Sequence, residues 1–378
     1  MRLFMKMRVI TLTVCISLFW MITLRGGPSL YNALSSILSP TNMYDEWTSS
    51  FRRTALYGGS QLIHTFSSVQ DEVLYIYQKF MLAEWNHEPT MVRKHRKEIF
   101  RTAESTSTEE FSLTLSNTNK NSELPYYSPM LGINAPTYKP QPELLRYLPK
   151  SAILPNGTLF NKCSVVGNGG ILSGSSCGRE IDSADYILRC NMVPINKFRN
   201  DAGVKTNFTT MNPSITATRY NSFKSEADIE MFIKDLNEYS GQLFLPCLYD
   251  SRIMGICVNK ILPVVMERIQ NKKLAITVGN PRHLLGIMKA WKPAGINFMS
   301  TGFYLAQTAL TMCNEVHLYG FWPFSRTVYP VPRPVKYHFY DDREQSKVHK
   351  FNNEFQILWQ LHMEGALRLH TQDCDSPD

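Results

Sequence analysis

From about residue 150 onward, short apolar runs alternate with stretches in which apolar residues recur every three to four positions. The runs predict strands at 163–167 (CSVVG), 185–190 (DYILRC), 206–211 (TNFTTM), 242–248 (QLFLPCL), 273–278 (KLAITV) and 315–320 (EVHLYG). The periodic stretches predict helices over 224–238, 260–271, 301–313 and 353–364. Strands alternating with helices indicate an α/β fold, a central and mostly parallel sheet flanked by helices. Ligands of such sheets bind beyond the carboxyl ends of the strands. Upstream, 71–82 (DEVLYIYQKFML) fits one amphipathic helix. Arg93, Lys94, Arg96, Lys97 and Arg101 read as a solvated helix face, and the Ser/Thr/Asn-rich stretch 102–122 as a flexible segment.

One stretch departs from this pattern. Residues 9–24 (VITLTVCISLFWMITL) carry no charge; Arg2, Lys6 and Arg8 precede them and Arg25 closes them. As helix they span about 24 Å, slightly short of a hydrocarbon core of about 30 Å and suited to thinner early-secretory membranes. No good small-residue cleavage site follows, so the stretch reads as an uncleaved signal anchor rather than a signal peptide. The basic flank puts residues 1–8 in the cytoplasm and the rest in a lumen, with 25–88 as stem and 89–378 as the lumenal domain. Two sequons, at Asn156 and Asn207, agree with a lumenal chain. Of eight cysteines, Cys15 lies in the span; the other seven match no zinc spacing, and in an oxidising lumen some should pair and at least one stay free.

Composition narrows the function classes. With 43% hydrophobic residues and one apolar span in 378, the chain is globular behind an anchor, neither a multi-span membrane protein nor disordered throughout. The 40 Lys+Arg against 32 Asp+Glu leave a net +8, which suits contact with phosphates, acidic sugars or a membrane surface. It is too weak and dispersed for nucleic acid.

Three segments carry candidate chemistry. In the first, a strand runs into Gly167-Asn168-Gly169-Gly170, where backbone amides can approach a phosphate. Leu172 stands where a dinucleotide fingerprint needs Gly or Ala. Asn168 at the apex either hydrogen-bonds a ligand or occupies a left-handed turn position. In the second, Ser300-Thr301-Gly302 precedes an apolar-periodic run, as a helix N-cap that can also seat a phosphate. The third is Tyr337-His338-Phe339-Tyr340-Asp341, followed by His349 and Glu354. A neutral histidine there can take a proton from a sugar hydroxyl, and a donor histidine can stabilise a departing phosphate. The spacing of these histidines lacks a third metal ligand, and the only D-x-D, at 373–375, sits in the C-terminal tail.

In order and spacing these segments resemble the animal sialyltransferases, in particular their alpha-2,8 branch and its sixth type. The long motif of that family is matched by 161–209, from Asn161-Lys162-Cys163 through Arg189-Cys190-Asn191 to Lys205-Thr206-Asn207. The short motif is matched by 297–320, the third by Tyr337-His338-Phe339-Tyr340-Asp341 and the very short one by His349 and Glu354. The resemblance implies a Rossmann-like, GT-A-variant glycosyltransferase domain. It implies inverting transfer from CMP-sialic acid, in alpha-2,8 linkage, to a sialylated glycoprotein glycan, with glycolipid acceptors as the alternative. It implies no cofactor and no metal, because CMP carries one phosphate and leaves no diphosphate for a cation to bridge. It further implies a Golgi membrane location and allows a homodimer. A glycan-binding module without activity, and a nicotinamide or flavin enzyme, are the competing classes; the His338/His349 pair opposes the first and Leu172 the second.

By motif match, Asn168 and Asn191 contact the donor, and Asn212-Pro213-Ser214 lies in the following substrate loop. Ser300, Thr301 and Gly302 meet the phosphate and carboxylate end, while Trp322 and Tyr337 wall the nucleotide pocket. His338 stabilises the departing phosphate and His349 is the general base. The family match also pairs Cys163 with Cys313 and Cys177 with Cys374. It leaves Cys190 as a buried thiol, and Cys247 and Cys257 either free or paired with each other. Two departures, Asn297-Phe298-Met299 before the short motif and Phe339 in the third, remove no catalytic group and bear on acceptor preference. The few basic residues over 272–299 favour adding one or a few sialic acids over polymerisation.

Overall fold

The computed structural model describes residues 69–374, apart from 82–83, 105–107, 128–136, 155–156, 270–272 and 346–347. The expected anchor, most of the stem and the sequon at Asn156 lie outside the described residues. Among the described residues no helix is long and apolar enough to cross a membrane.

Eight strands form the central sheet: β1 Ser112–Leu113, β2 Phe160–Val166, β3 Tyr186–Arg189, β4 Phe208–Thr210, β5 Gly241–Leu245, β6 Leu274–Gly279, β7 Cys313–Tyr319 and β8 Arg368–His370. Their order is β1-β6-β5-β4-β3-β2-β7-β8, and every pair is parallel except β1 on β6. The chain therefore winds outward from β2 to β6, then returns so that β7 pairs with the other side of β2. The strand order reverses between β2 and β7, the place where open parallel sheets bind their ligands. The last four residues of β2 and of β7 are all buried, as expected of strands covered on both faces.

Six longer helices matter here: α1 Val69–Met81, α2 Pro89–Thr102, α3 Glu226–Leu236, α4 Pro281–Trp291, α5 Thr301–Met312 and α6 Phe351–Met363. Helix α5 is buried from Phe303 to Met312. Gln307 Oε1 accepts from Trp291 Nε1 at 3.1 Å, while its Nε2 finds no partner among the described residues, and Thr308 Oγ1 donates to Tyr304 O at 2.9 Å. Helix α2 lies against it, and Arg96 donates to the carbonyls of Leu310 (3.0 Å) and Cys313 (2.6 Å) at the end of α5. One member of the basic cluster thus caps a helix while Arg93, Lys94, Lys97 and Arg101 stay exposed.

Two expectations need correction. The stretch from 108 to 122 is not a flexible segment: it holds β1 and a turn in which Asn117 Oδ1 accepts from Thr114 N (2.9 Å) and Asn117 Nδ2 donates to Ser112 O (3.0 Å). Its Ser, Thr and Asn side chains build local hydrogen bonds in place of a ladder. The helix expected over 260–271 begins at Ser251 and runs to Arg268 through a π-helical turn at Cys257–Ile261. Three disulfides close the described chain: Cys163–Cys313, Cys177–Cys374 and Cys247–Cys257. Cys190 is free and buried. Asn207 stands half-buried at the head of β4, its Oδ1 accepting from Ile187 N at 2.9 Å, and Thr209 is fully buried. A glycan at that sequon must therefore be added before the sheet closes.

Candidate functional site

A cleft of ≈ 850 Å³, counted out to its open mouth, lies at the carboxyl ends of β2, β3, β4 and β7. It is lined by every site residue expected from the sequence except Pro213 and Ser214.

The floor is the turn after β2. Gly167 N donates to Tyr319 O (2.7 Å) and Gly169 N to Gly320 O (2.9 Å), so these amides serve the end of β7. A Cβ on Gly169 would stand 2.6 Å from Gly320 O, and one on Gly170 would overlap the Lys336 backbone. Two other chain segments pass against the turn, and that close approach by itself requires glycine at these positions. Asn168 is absent from the left-handed residues, so of its two readings the ligand contact survives. It lines the cleft, and its buried Oδ1 finds no hydrogen-bond partner among the described residues.

Asn191, by contrast, does adopt the left-handed conformation, with φ 60°. Its Oδ1 accepts from Asn212 N (3.2 Å), and Asn212 Oδ1 accepts from Ser214 N (3.2 Å) and Ser214 Oγ (3.1 Å). Ser214 reaches the site through Asn212, which explains its place outside the lining.

Opposite, the N-terminus of α5 opens on the cleft and brings the positive end of its dipole. The Ser300 hydroxyl is already engaged. It accepts from Phe303 N (3.1 Å) as the N-cap and donates to Glu354 Oε2 (2.5 Å), while Ser300 N donates to Glu354 Oε1 (2.6 Å). Thr301 and Gly302 line the cleft beside Ser300. A Cβ at Gly302 would stand 3.0 Å from the Phe321 ring, so the glycine also seats that aromatic. Glu354 is 4% exposed, and burial pushes its carboxyl up to about 7 against the opposing pull of the Ser300 hydrogen bonds.

Both histidines are oriented through Nδ1. His349 Nδ1 faces Phe298 O at 3.3 Å; a carbonyl only accepts, so Nδ1 carries the proton and Nε2 is left basic. The Phe298 ring stacks on the imidazole at 5.3 Å and 13°. Burial holds the His349 pKa below the ordinary histidine value, partly offset by the Phe298 carbonyl. His338 Nδ1 lies 2.8 Å from Asp341 Oδ1, between the rings of Tyr337 (4.1 Å) and Tyr340 (4.9 Å). Burial lowers its pKa too, and Asp341 pulls the other way, toward the charged form. His338 also pairs with Gly169 across an isolated bridge, and Phe339 N donates to Asn168 O (3.0 Å). The Gly turn and the His338 segment are thus locked together. Trp322 is 3% exposed, with Nε1 donating to Arg326 O (3.0 Å) and its ring edge-on to Phe355.

Gln345, Phe351, Phe355 and Leu358 also line the cleft and carried no legible site signal in the sequence, because only the fold assembles their surroundings, and Cys190 was legible only as a buried thiol. Phe298 was noted only as a departure, yet it orients His349.

The model of glycosyltransferase family 29 (sialyltransferase) matches residues 111–366. Human alpha-2,8-sialyltransferase 8F is 35% identical over 220 residues, 57% of this chain and 54% of that protein. Human alpha-2,8-sialyltransferase 8E is 35% identical over 266 residues, 69% of this chain and 68% of that protein. The alpha-N-acetylneuraminide alpha-2,8-sialyltransferase of Bos taurus is 35% identical over 233 residues, 59% and 64%. The matched stretch thus spans about half the length of the first of these relatives. The crystal structure of a mammalian sialyltransferase aligns over 82% of the chain and 87% of its own at 19% identity, with a TM-score of 0.39, too loose to carry an argument. The family match runs from β1 to the residues just before β8 and takes in the whole cleft: the chain belongs to glycosyltransferase family 29, the sialyltransferases.

Proposed function

We propose that this chain transfers sialic acid from CMP-sialic acid to the 8-hydroxyl of a terminal sialic acid on O-linked glycoprotein glycans, with inversion. The observation that carries the reading is the pair of histidines on one cleft, each with Nδ1 committed to a fixed acceptor, Phe298 O or Asp341. As the acceptor oxygen bonds to the anomeric carbon, the bond from that carbon to the phosphate oxygen breaks. CMP leaves with the electron pair, and His349 Nε2 takes the hydroxyl proton. His338, whose contact with Asp341 opposes the lowering of its pKa by burial, donates from Nε2 to the departing phosphate. In this reading charge on the leaving group is met by His338 and the α5 dipole, and no metal is assigned a step. Asn168, with its unpartnered Oδ1, and Asn212 meet the donor, and Trp322 and Tyr337 wall the nucleotide.

The three disulfides support an oxidising lumen, with residues 9–24 as the Golgi anchor. The test is CMP release from CMP-sialic acid over a panel of sialylated O-glycoprotein, sialylated N-glycoprotein and ganglioside. Acceptor-dependent release, greatest with the O-glycoprotein, is expected. No release with any sialylated acceptor overturns the reading, and release greatest with ganglioside overturns its acceptor.

A further inference from the structure

We propose that Glu180, His317 and His370 form a binding site for a divalent cation of the zinc class, behind the cleft and separate from it. None of the three lines the cleft. One ligand atom from each, His317 Nδ1, His370 Nε2 and Glu180 Oε1, points to a common spot: all lie within 4.8 Å of one another. The three separations are 2.9 Å (His317–His370, a hydrogen bond whose proton on His370 Nε2 a bound cation would displace), 3.6 Å (His370–Glu180) and 3.9 Å (His317–Glu180). Tetrahedral zinc with bonds of about 2.0–2.1 Å has ligand-to-ligand edges of about 3.3 Å. The observed triangle averages close to that edge, so a few tenths of an ångström at each side chain close the site. Two imidazoles and one carboxylate leave a fourth position for water.

The surroundings match what such ligands require. A ligating histidine donates its other ring N–H to a carboxylate, and His317 Nε2 lies 2.5 Å from Glu315 Oε1. That bond fixes the tautomer that leaves Nδ1 with its lone pair. A ligating carboxylate is itself hydrogen-bonded, and Tyr319 OH donates to Glu180 Oε1 at 2.8 Å. His317 is 3% exposed at its side chain and His370 9%, while Glu180 at 32% leaves a way in from solvent. At His317, Glu315 opposes the positive field of nearby Lys162 and Arg368.

The fold explains how three distant residues meet. His317 and Tyr319 alternate onto one face of β7, and His370 lies beside Tyr319 in the parallel register of β8. Glu180 stands three residues after Cys177 and His370 four before Cys374, so the Cys177–Cys374 bridge draws these two ligands together. A cation here would clamp β8 and the short helix Gly178–Asp182 onto β7, whose next residue, Gly320, forms part of the cleft.

The test uses the purified full-length chain, stripped with a chelator and titrated with zinc chloride. Bound zinc is measured by elemental analysis and Tm by calorimetry. One zinc per chain is expected, with a rise in Tm of roughly 5 °C at a hundredfold excess over Kd. Glu180→Gln and His370→Gln should each abolish both effects while keeping the metal-free Tm near the parent's. Because Glu180 is partly exposed, its variant decides the matter even if His370→Gln folds poorly. A parent that takes up less than about a tenth of an equivalent, or a Glu180→Gln variant that binds zinc as the parent does, overturns the assignment.

Discussion

His349 works as a base only while neutral, and burial keeps its pKa below the ordinary value of about 6.5. Its neutral form therefore persists into mild acid, and the acid limb of kcat/KM should fall below about pH 6.5. His349→Ala should lose about 10²–10⁴-fold in turnover with CMP affinity nearly intact, since a base contributes in that range. Full activity in that variant would remove His349 from the mechanism. His338 must instead be protonated to donate from Nε2, because Nδ1 is engaged with Asp341. Glutamine keeps a donor that cannot titrate, so His338→Gln should retain part of the rate and flatten the alkaline limb, while His338→Ala loses the rate. An unchanged alkaline limb in His338→Gln would place that titration elsewhere. Glu354 gives a stability prediction of opposite sign to the usual carboxylate. Its folded pKa, about 7, exceeds the unfolded value, so the folded state holds the proton longer. Stability is then full below about pH 4.5 and declines as pH rises through 7, by on the order of 3 kcal/mol. Glu354→Gln should flatten the dependence of Tm on pH between about 5 and 7; a slope equal to the parent's would contradict the burial argument.

At the scale of elements, the six strands with apolar runs were legible because buried parallel strands write themselves as such runs, as CSVV in β2 and HLY in β7 show. The strands β1 and β8 were not. Two residues, or the single apolar side chain of Arg368-Leu369-His370, make no pattern, and they are strands only because β6 and β7 offer an edge. Helix α4 is hard to read from the sequence too, although Asn280 caps it and Pro281 opens it, because Arg282, Gly286 and Lys289 interrupt its apolar residues. The glycine turn was read from its composition as a ligand loop, and composition cannot distinguish a ligand from a second chain segment at the same distance. Gly169→Ala separates the two. Contact with Gly320 O predicts a loss of Tm without any donor present; a phosphate cradle predicts weaker donor binding at unchanged Tm. The Cys163–Cys313 bridge fastens β2 to β7 on either side of the strand-order reversal, over a separation of 150 residues. In the chain-entropy model a loop of that size contributes roughly 5 kcal/mol. Replacing both cysteines with alanine should therefore lower Tm sharply or prevent secretion, and a double variant with the parent's Tm would show that the sheet alone holds the two strands.

Over the whole molecule, the cleft lies where the order of the sheet reverses, and five segments of the chain meet there: 167–169, 190–212, 300–302, 320–323 and 337–358. The motif order disclosed those segments, but not how they are held. The roles of Phe298, Asp341 and Ser214 depend on backbone carbonyls and side-chain amides that only the folded chain brings into reach. In the proposed reading, this cleft moves sialic acid onto sialic acid. It is tested most directly by incubating the purified full-length chain with radiolabelled CMP-sialic acid and an alpha-2,3-sialylated O-glycoprotein, then digesting the product. The account predicts label that resists an alpha-2,3-specific sialidase, is released by one that cleaves alpha-2,8 linkages, and is absent with His349→Ala. Label released by the alpha-2,3-specific enzyme, or label transferred equally well by His349→Ala, would contradict it.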